Sequence, residues 1–451
     1  MPKTHRAVAL SRRTLLGSVA AWMGASFLAA DDGRPPASNP RATDGDERFE
    51  PNWDEQFTFT VSPEMALAAG SADRAIQAAC DYVTRLGGGT VQLTPGTFTL
   101  RNSVWLPSKI RLRGSGAETV VTKIASETIP LSEDSDWYDQ EITLGEVGHF
   151  QVGDGVTFVA TNPHDNGPTT IKRTLVARSG HRFKLNNGLR ENLWLTGKPT
   201  CSSLFPMLTS ENTADVLIEN LTLDGNRANN ENLNGNYGGG IFLQDCNRYT
   251  IRDVEVRNYN GDGVSFQICH DVVVDRLYSH DNADLGVHPG SGSQRPLIRD
   301  CRLERNGLGL FWCWGVKYGL AEGNKIIDNR NYGVSIGHND TDNVMRNNEI
   351  RGSGIYGVLF RDENRGKDFW ANRNTLEKNR IIDNGADDGA AIEIQGKTRD
   401  LIFTGNEIKD TRGPAKRTGI RISAEVGAVA LKENQIEGFA QAVLDQRASM
   451  S

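Results

Sequence analysis

Residues 251–290 read IRDVEVRNYN GDGVSFQICH DVVVDRLYSH DNADLGVHPG. A polar–apolar segment closes at Val256, and a second segment opens at Gly263 with Val264 and Phe266. The pair then returns, as Val273–Tyr278 followed by Gly286 and Val287. Self-similarity at a fixed period marks a repeat architecture. Alternation with period two inside each unit marks strands and not helices.

The pattern extends in both directions. Segments of the first kind end at Leu223, Val256, Tyr278, Leu303, Ile326, Ile350, Ile381, Ile408 and Ile436. Those of the second kind open at Gly240, Gly263, Gly286, Gly309, Gly333 and Gly357, spaced 23, 23, 23, 24 and 24 residues apart. Two short strands per unit, joined by Asn- and Gly-rich turns, predict an all-β chain wound as a right-handed parallel β-helix, with coils stacked about 4.8 Å apart. Of 35 Asn, 27 lie after position 210, as tight turns require.

Composition agrees with one large folded body. The 451 residues are 37% hydrophobic and 24% charged, and their 48 Gly follow no three-residue period, which excludes disorder and collagen. Residues 1–30 contain Lys3, Arg6, Arg12 and Arg13 and no acid. Arg12-Arg13 before a moderately apolar run to Ala30 predicts a bacterial twin-arginine signal, and export to the periplasm or beyond. Leu28 at the −3 position of a cut after Ala30 leaves an uncut anchor as an alternative. Residues 31–56 read as a linker. Without residues 1–30 the chain holds 46 basic against 57 acidic residues, a net charge of −11, so no nucleic-acid partner is expected. No integral membrane domain is expected either, and a monomer is. Six Cys are too few for a disulfide scaffold. Cys246 and Cys269 each fall six residues after a repeat glycine, so they should stack as thiols on neighbouring coils, a late disulfide being the alternative.

The front end carries a resemblance. Ser71–Leu86 has helical periodicity with a Ser N-cap and stops at Gly87-Gly88-Gly89. Ala75-Ile76-Gln77-Ala78-Ala79, then Gly87–Leu100 (GGGTVQLTPGTFTL), resemble the opening of the pectate-lyase-like β-helix superfamily. The likeness covers residues 57–124 and 203–451. It implies the fold and not the chemistry, because that superfamily includes lyases, hydrolases, epimerases and adhesins. Residues 125–202 break the period and predict a small inserted antiparallel β module walling one side of a groove. Asn162-Pro163-His164-Asp165 resembles an Asp-Pro-His-Asp element of mannuronan epimerases, but it departs at Asn162 and sits in the insertion.

Strand alternation gives a register. After each repeat glycine, positions +1 and +3 should face the core, as with Val264/Phe266, Val334/Ile336 and Val358/Phe360. Positions +2 and +4 should face out: Phe242, Gln244, Ser265, Gln267, His288, Phe311, Cys313, Ser335, Leu359 and Arg361, extended by Glu363, Glu393 and Gln395. Pro289 should interrupt its strand beside His288. His338 and Asp340, in a polar turn, read as candidate catalytic residues, whereas Asp342 and Asn343 read as turn caps. Arg361 and Glu393 fall in one column, so a cross-strand ion pair competes with a catalytic role. Glu363 and Glu393 are diagonal, at roughly 7–9 Å. Trp312 should be core, and Trp314 a platform for a sugar ring.

These residues predict an exported enzyme acting on a polysaccharide in a groove along the sheet. The favoured chemistry is β-elimination on a uronate polymer, which needs a base beside a carboxylate and a cation to hold the developing charge. His288 or His338 would be the base, Arg361 the cation, and Tyr332 or Tyr356 the acid, with Gln244, Gln267 and Trp314 binding sugar. An inverting glycoside hydrolase using Glu363 and Glu393 is the close alternative, and a non-catalytic glycan-binding or cell-envelope protein the third. No cofactor is required. Asp224, Asp262 and Asp284 are the acids that could hold Ca²⁺, without a recognisable metal-binding spacing.

Overall fold

The computed structural model describes Gly33 and residues 57–162, 165–413 and 415–447. Residues 1–30, the linker, and Pro163 and His164 of the epimerase-like element lie outside these, as do the expectations that rest on them. Among the described residues no helix is long and apolar enough to cross a membrane.

The chain forms a right-handed parallel β-helix. Its coils contribute to a 21-stranded and an 11-stranded parallel sheet among the described residues. From Val273 onward each coil carries three strands, not two, while Ala214–Asp224 and Asn247–Arg257 each run on as one bent strand. Val273–Asp275, Tyr278–His280 and Leu285–Gly290 make one coil and pair with Leu297–Arg299, Arg302–Glu304 and Leu308–Phe311 of the next. The segment read as one strand bends in the middle, because one residue adopts the left-handed region: Asn220, Asp253, Arg276, Asp300 and Asn347 have φ between 50 and 55° or at 56°. Asn and Asp tolerate that backbone better than other side chains do, and one such residue per coil turns the corner.

Asparagine also lines the inside of a corner. Asn324, Asn348, Asn379 and Asn406 each donate a main-chain N–H, at 2.9–3.0 Å, to the side-chain oxygen of the Asn one coil on, ending at Asn434. The ladder satisfies buried main-chain donors that a turn would otherwise orphan, which explains the Asn enrichment. Asn343 belongs to a parallel ladder and Asp342 pairs with Arg373 at 2.8 Å, so both serve the turn.

The core follows the alternation. Val264, Phe266, Val287, Trp312, Val334, Ile336, Val358, Phe360, Ile392 and Ile394 are buried in one apolar cluster. Each buried side chain of this size contributes about 1.5–3 kcal/mol. The helix Ala72–Arg85 closes the N-terminal end by burying Ile76, Ala79, Cys80 and Val83. Cys246 and Cys269 are free thiols on adjacent coils, with the Cys246 N–H 3.4 Å from the Cys269 Sγ. Thr128–Pro130, Glu141–Thr143, Gly155–Thr161, Pro168–Ser179, Arg182–Leu185 and Thr200–Ser202 form a separate antiparallel sheet with its own apolar cluster.

Candidate functional site

The outer face of the 11-stranded sheet stacks one side chain per coil. Trp105, Thr209, Phe242, Ser265 and His288 follow one another in register, and Phe311, Ser335, Leu359 and Glu393 continue the column. The face points away from the core as the alternation requires, but much of it is roofed over. Phe242, Ser265, Ser335, Leu359 and Glu393 are buried, where a bare outer ladder would be exposed. The Ser265 hydroxyl donates to the Gly235 carbonyl at 2.7 Å, Lys172 of the inserted sheet lies 4.0 Å above the Phe242 ring, and Arg361 donates to the Ser335 hydroxyl at 2.8 Å.

Between these roofs a cleft of about 820 Å³ stays open. Gln244, Gln267, His288, Trp314 and Tyr332 line it together, as do Asp262, Asp284, Phe311, Arg330 and the turn at Asn234–Asn236. Pro289 does not end its strand, which runs from Leu285 to Gly290. Proline removes only the ladder bond its own nitrogen would have donated.

His288 is 4% exposed, and its Nδ1 lies 2.8 Å from Oδ2 of Asp262, itself 1% exposed. The other Asp262 oxygen accepts the Leu285 main-chain N–H at 3.2 Å. A carboxylate oxygen accepts only from a protonated Nδ1, which leaves the Nε2 lone pair free, and Nε2 is buried with no hydrogen-bond partner. Burial pushes the Asp262 carboxyl up, and the hydrogen bond from His288 opposes that. The roof sets the burial: a Cβ on Gly235 would sit 1.7 Å from Asp262 Oδ2, so only glycine lets the turn pack on this carboxylate.

Two further groups complete the cleft. Asp284 accepts from the Asn232 side chain at 2.8 Å. Arg330 donates to the carbonyls of Arg305 (2.9 Å), Asn282 (3.1 Å) and Ala283, and burial lowers its pKa. It meets no carboxylate at ion-pair distance among the described residues, while Asp284 and Asp281 act on its charge from further away.

A second cluster adjoins through Trp314. The indole N–H donates to Glu363 at 3.1 Å, and Glu363 accepts from Arg361 Nε at 3.0 Å. Arg361 also donates to the Trp312 carbonyl at 3.1 Å, stacks on Phe311 at 4.5 Å and lies 3.7 Å from Asp340. Its donors are thus taken by the protein. His338 turns out of the strand and packs between Trp314 (5.5 Å) and Phe369 (5.4 Å), while its Nδ1 accepts the Arg365 N–H at 2.9 Å. Burial lowers the His338 pKa. Asp340 is wholly buried and ties the turn, accepting from the Gly337 N–H at 2.8 Å and the Val316 N–H at 2.9 Å. Burial pushes its carboxyl up to about 6.

Glu393 stands apart. The register pairs it with Leu359, not Arg361, so the two charges occupy neighbouring columns. Its partner is Arg421 at 3.1 Å, and burial raises its pKa. The expected Arg361–Glu393 column is therefore corrected, and Glu363 and Glu393 each sit in a separate ion pair. Tyr332 and Tyr356 stack face to face at 5.9 Å, with Tyr332 alone on the cleft. Asp224 pairs with Arg257 at 2.8 Å, and among the described residues no group of three or more His, Cys, Asp or Glu is placed to hold a metal ion.

Sequence reasoning reached His288 but assigned Asp262 only to a possible cation. The available signal was positional: the residue before one repeat glycine lies beside position +2 of the next coil. Arg330 carries no such signal, because a turn brings it in.

The comparisons bear on this fold. Residues 208–369 match the family model described as right handed beta helix region. With the coil geometry, this shows the right-handed parallel β-helix fold. The catalytic domain of a GH87 α-1,3-glucanase superposes with a TM-score of 0.54 at 12% identity, covering 90% of this chain and 61% of that one. The mannuronan C-5 epimerase AlgE4 A-module of Azotobacter vinelandii gives 0.47 at 17% identity, covering 83% and 95%. The surface adhesin PfbA of Streptococcus pneumoniae gives 0.46 at 13%, covering 85% and 93%. At 12% identity the glucanase domain shows a shared fold alone. No curated protein matches the sequence.

Proposed function

We propose that this protein is an exported carbohydrate-active enzyme that cleaves a uronate-containing polysaccharide by β-elimination in the cleft at His288. The observation that carries the reading is the Asp262–His288 pair, which leaves Nε2 unpartnered, in a nearly buried ring at the wall of the cleft that Arg330 also lines. Nε2 takes the proton from the ring carbon next to the carboxylate. Arg330, which lines the cleft without a carboxylate at ion-pair distance, holds the charge that develops on that carboxylate in place of Arg361, which is paired with Glu363. The electron pair forms a ring double bond as the glycosidic C–O bond breaks, and Tyr332 protonates the departing oxygen. No water is consumed. Preorganised charge and a positioned base are the two contributions such a step needs.

Trp314 and Phe311 offer aromatic faces for sugar rings, and Gln244 and Gln267 offer amides for hydroxyls. The glucanase domain that shares this coil was solved with tetrasaccharides, in keeping with a sugar-binding cleft. The separate ion pairs of Glu363 and Glu393 weigh against hydrolysis by that pair, since neither carboxylate is free to activate water.

The test is a panel of purified polyuronates and neutral polysaccharides, read by ultraviolet absorbance of unsaturated ends and by reducing ends. Both signals on a polyuronate are expected. Reducing ends alone would establish a hydrolase, and neither signal anywhere would leave a binding protein.

A further inference from the structure

The cleft does not end at Gln244. That side chain is also a wall of a second cavity of about 380 Å³, between the inserted sheet and the first coils. The column Trp105, Thr209, Phe242, Ser265, His288 passes beneath both. Trp105 therefore lies four coils, or about 19 Å, from His288, a span of several sugar rings.

Two features of the second cavity point to a ligand. Trp105 is 45% exposed, although the core lies directly beneath its strand, and its main chain is fixed on both sides by the Gln77 side chain, at 2.8 and 3.0 Å. It is a fixed aromatic plate facing the cavity. Lys172 hangs from the roof with its ammonium 4.0 Å over Phe242; no carboxylate lies at ion-pair distance among the described residues, and Glu211, on the same cavity, acts on it from further away. The neighbouring Arg173 is tied to the carbonyls of Gly188 and Leu189, so it cannot play the same part.

We propose that this cavity is an accessory subsite for a carboxylate-bearing sugar several rings along the polymer from the one at His288, with Lys172 as its charge contact and Trp105 as its stacking plate. The proposal rests on the uronate-polymer reading above and adds a second place where the chain is gripped. Burial pushes the Lys172 ammonium down to about 8, so an incoming carboxylate would restore what the roof removes. The inserted module then has a role: it supplies the charge that makes a long anionic chain bind better than a short one. Binding energy from such remote contacts is what positions the reacting ring.

The experiment uses the full chain carrying His288→Ala, so that binding is read without turnover. Oligogalacturonates and oligomannuronates of increasing length are titrated calorimetrically against this protein, and against the same protein with Lys172→Met or Trp105→Ala added. Affinity should rise as the oligomers become long enough to reach from His288 to Trp105, and Lys172→Met should remove roughly tenfold or more of that gain while short oligomers bind unchanged. Melting temperatures of the variants identify any that fail to fold, and Trp105→Ala gives an independent reading of the same gain. If long oligomers keep their full advantage in both variants, the subsite is refuted and the reading at His288 stands. If no oligouronate of any length binds, the uronate reading falls as well.

Discussion

Asp262→Asn asks the most of the proposed mechanism, because the geometry dictates what the amide must do. In the native site one Asp262 oxygen accepts the Leu285 N–H at 3.2 Å, and the other accepts from His288 Nδ1 at 2.8 Å. Asparagine keeps only one acceptor, which the fixed main-chain N–H claims. Its NH2 then faces Nδ1, so Nδ1 must become the acceptor and the ring proton moves to Nε2. The base is lost without any loss of shape. The expected fall in kcat/KM on the cleaved polyuronate is about 10²–10⁴-fold, the usual worth of a positioned base. The variant is isosteric and keeps two contacts, so its melting temperature should stay close to that of the parent protein. Steady-state kinetics with Asp262→Asn, His288→Ala and the double variant provide the assay. The double variant should be no worse than His288→Ala alone, since the carboxylate acts only through the ring. An Asp262→Asn protein of parental activity, or losses that multiply in the double variant, would refute the reasoning.

Other sites give independent checks. Gly235→Ala places a Cβ 1.7 Å from Asp262 Oδ2, so the turn or the carboxylate must shift; activity should drop roughly tenfold or more while the coil core, and hence most of the stability, is retained. Ile336→Ala should cost about 2–5 kcal/mol through lost burial and a cavity. Ser335→Ala, whose hydroxyl receives the Arg361 guanidinium, should cost about 1–3 kcal/mol in denaturant titration, not the near-zero cost of an exposed serine. Lys123 is buried with its ammonium 3.3 Å from the Phe205 carbonyl, and burial lowers its pKa from 10.5 to about 7. Its folded pKa is depressed, so the unfolded chain binds the extra proton and stability falls as pH drops from 10.5 through 7, by about 5 kcal/mol. Lys123→Met should therefore raise stability at pH 6 by about 2–4 kcal/mol after the lost hydrogen bond is counted; a less stable variant there would contradict the burial argument.

What the chain reveals by itself follows from how local each signal is. The coil was legible because each unit buries its own two apolar positions, so Val264, Phe266, Val334 and Ile336 repeat the same instruction. The bend that splits a long segment into two strands was not, because it depends on a single left-handed residue whose type varies from Arg276 to Asp300. His288 stood out as an imidazole on an outward column. Its environment did not, since Gly235 and Asp262 come from two other coils and close over the ring only in three dimensions. Arg361 illustrates the converse: its column position suggested a contact for substrate, yet Glu363, Ser335 and the Trp312 carbonyl take its donors. Burial of the outer ladder was equally invisible, because the inserted sheet and the turn at Asn234–Asn236 that cover it carry no repeat signal.

The role proposed for His288 is removal of the proton beside a uronate carboxylate. It is tested most directly by following unsaturated ends and reducing ends together on one polyuronate, for the parent protein and for His288→Ala. The two signals should rise in equal amounts for the parent, and both should fall about 10²–10⁴-fold in His288→Ala at an unchanged melting temperature. Reducing ends without unsaturation, or a His288→Ala protein as active as the parent, would contradict it.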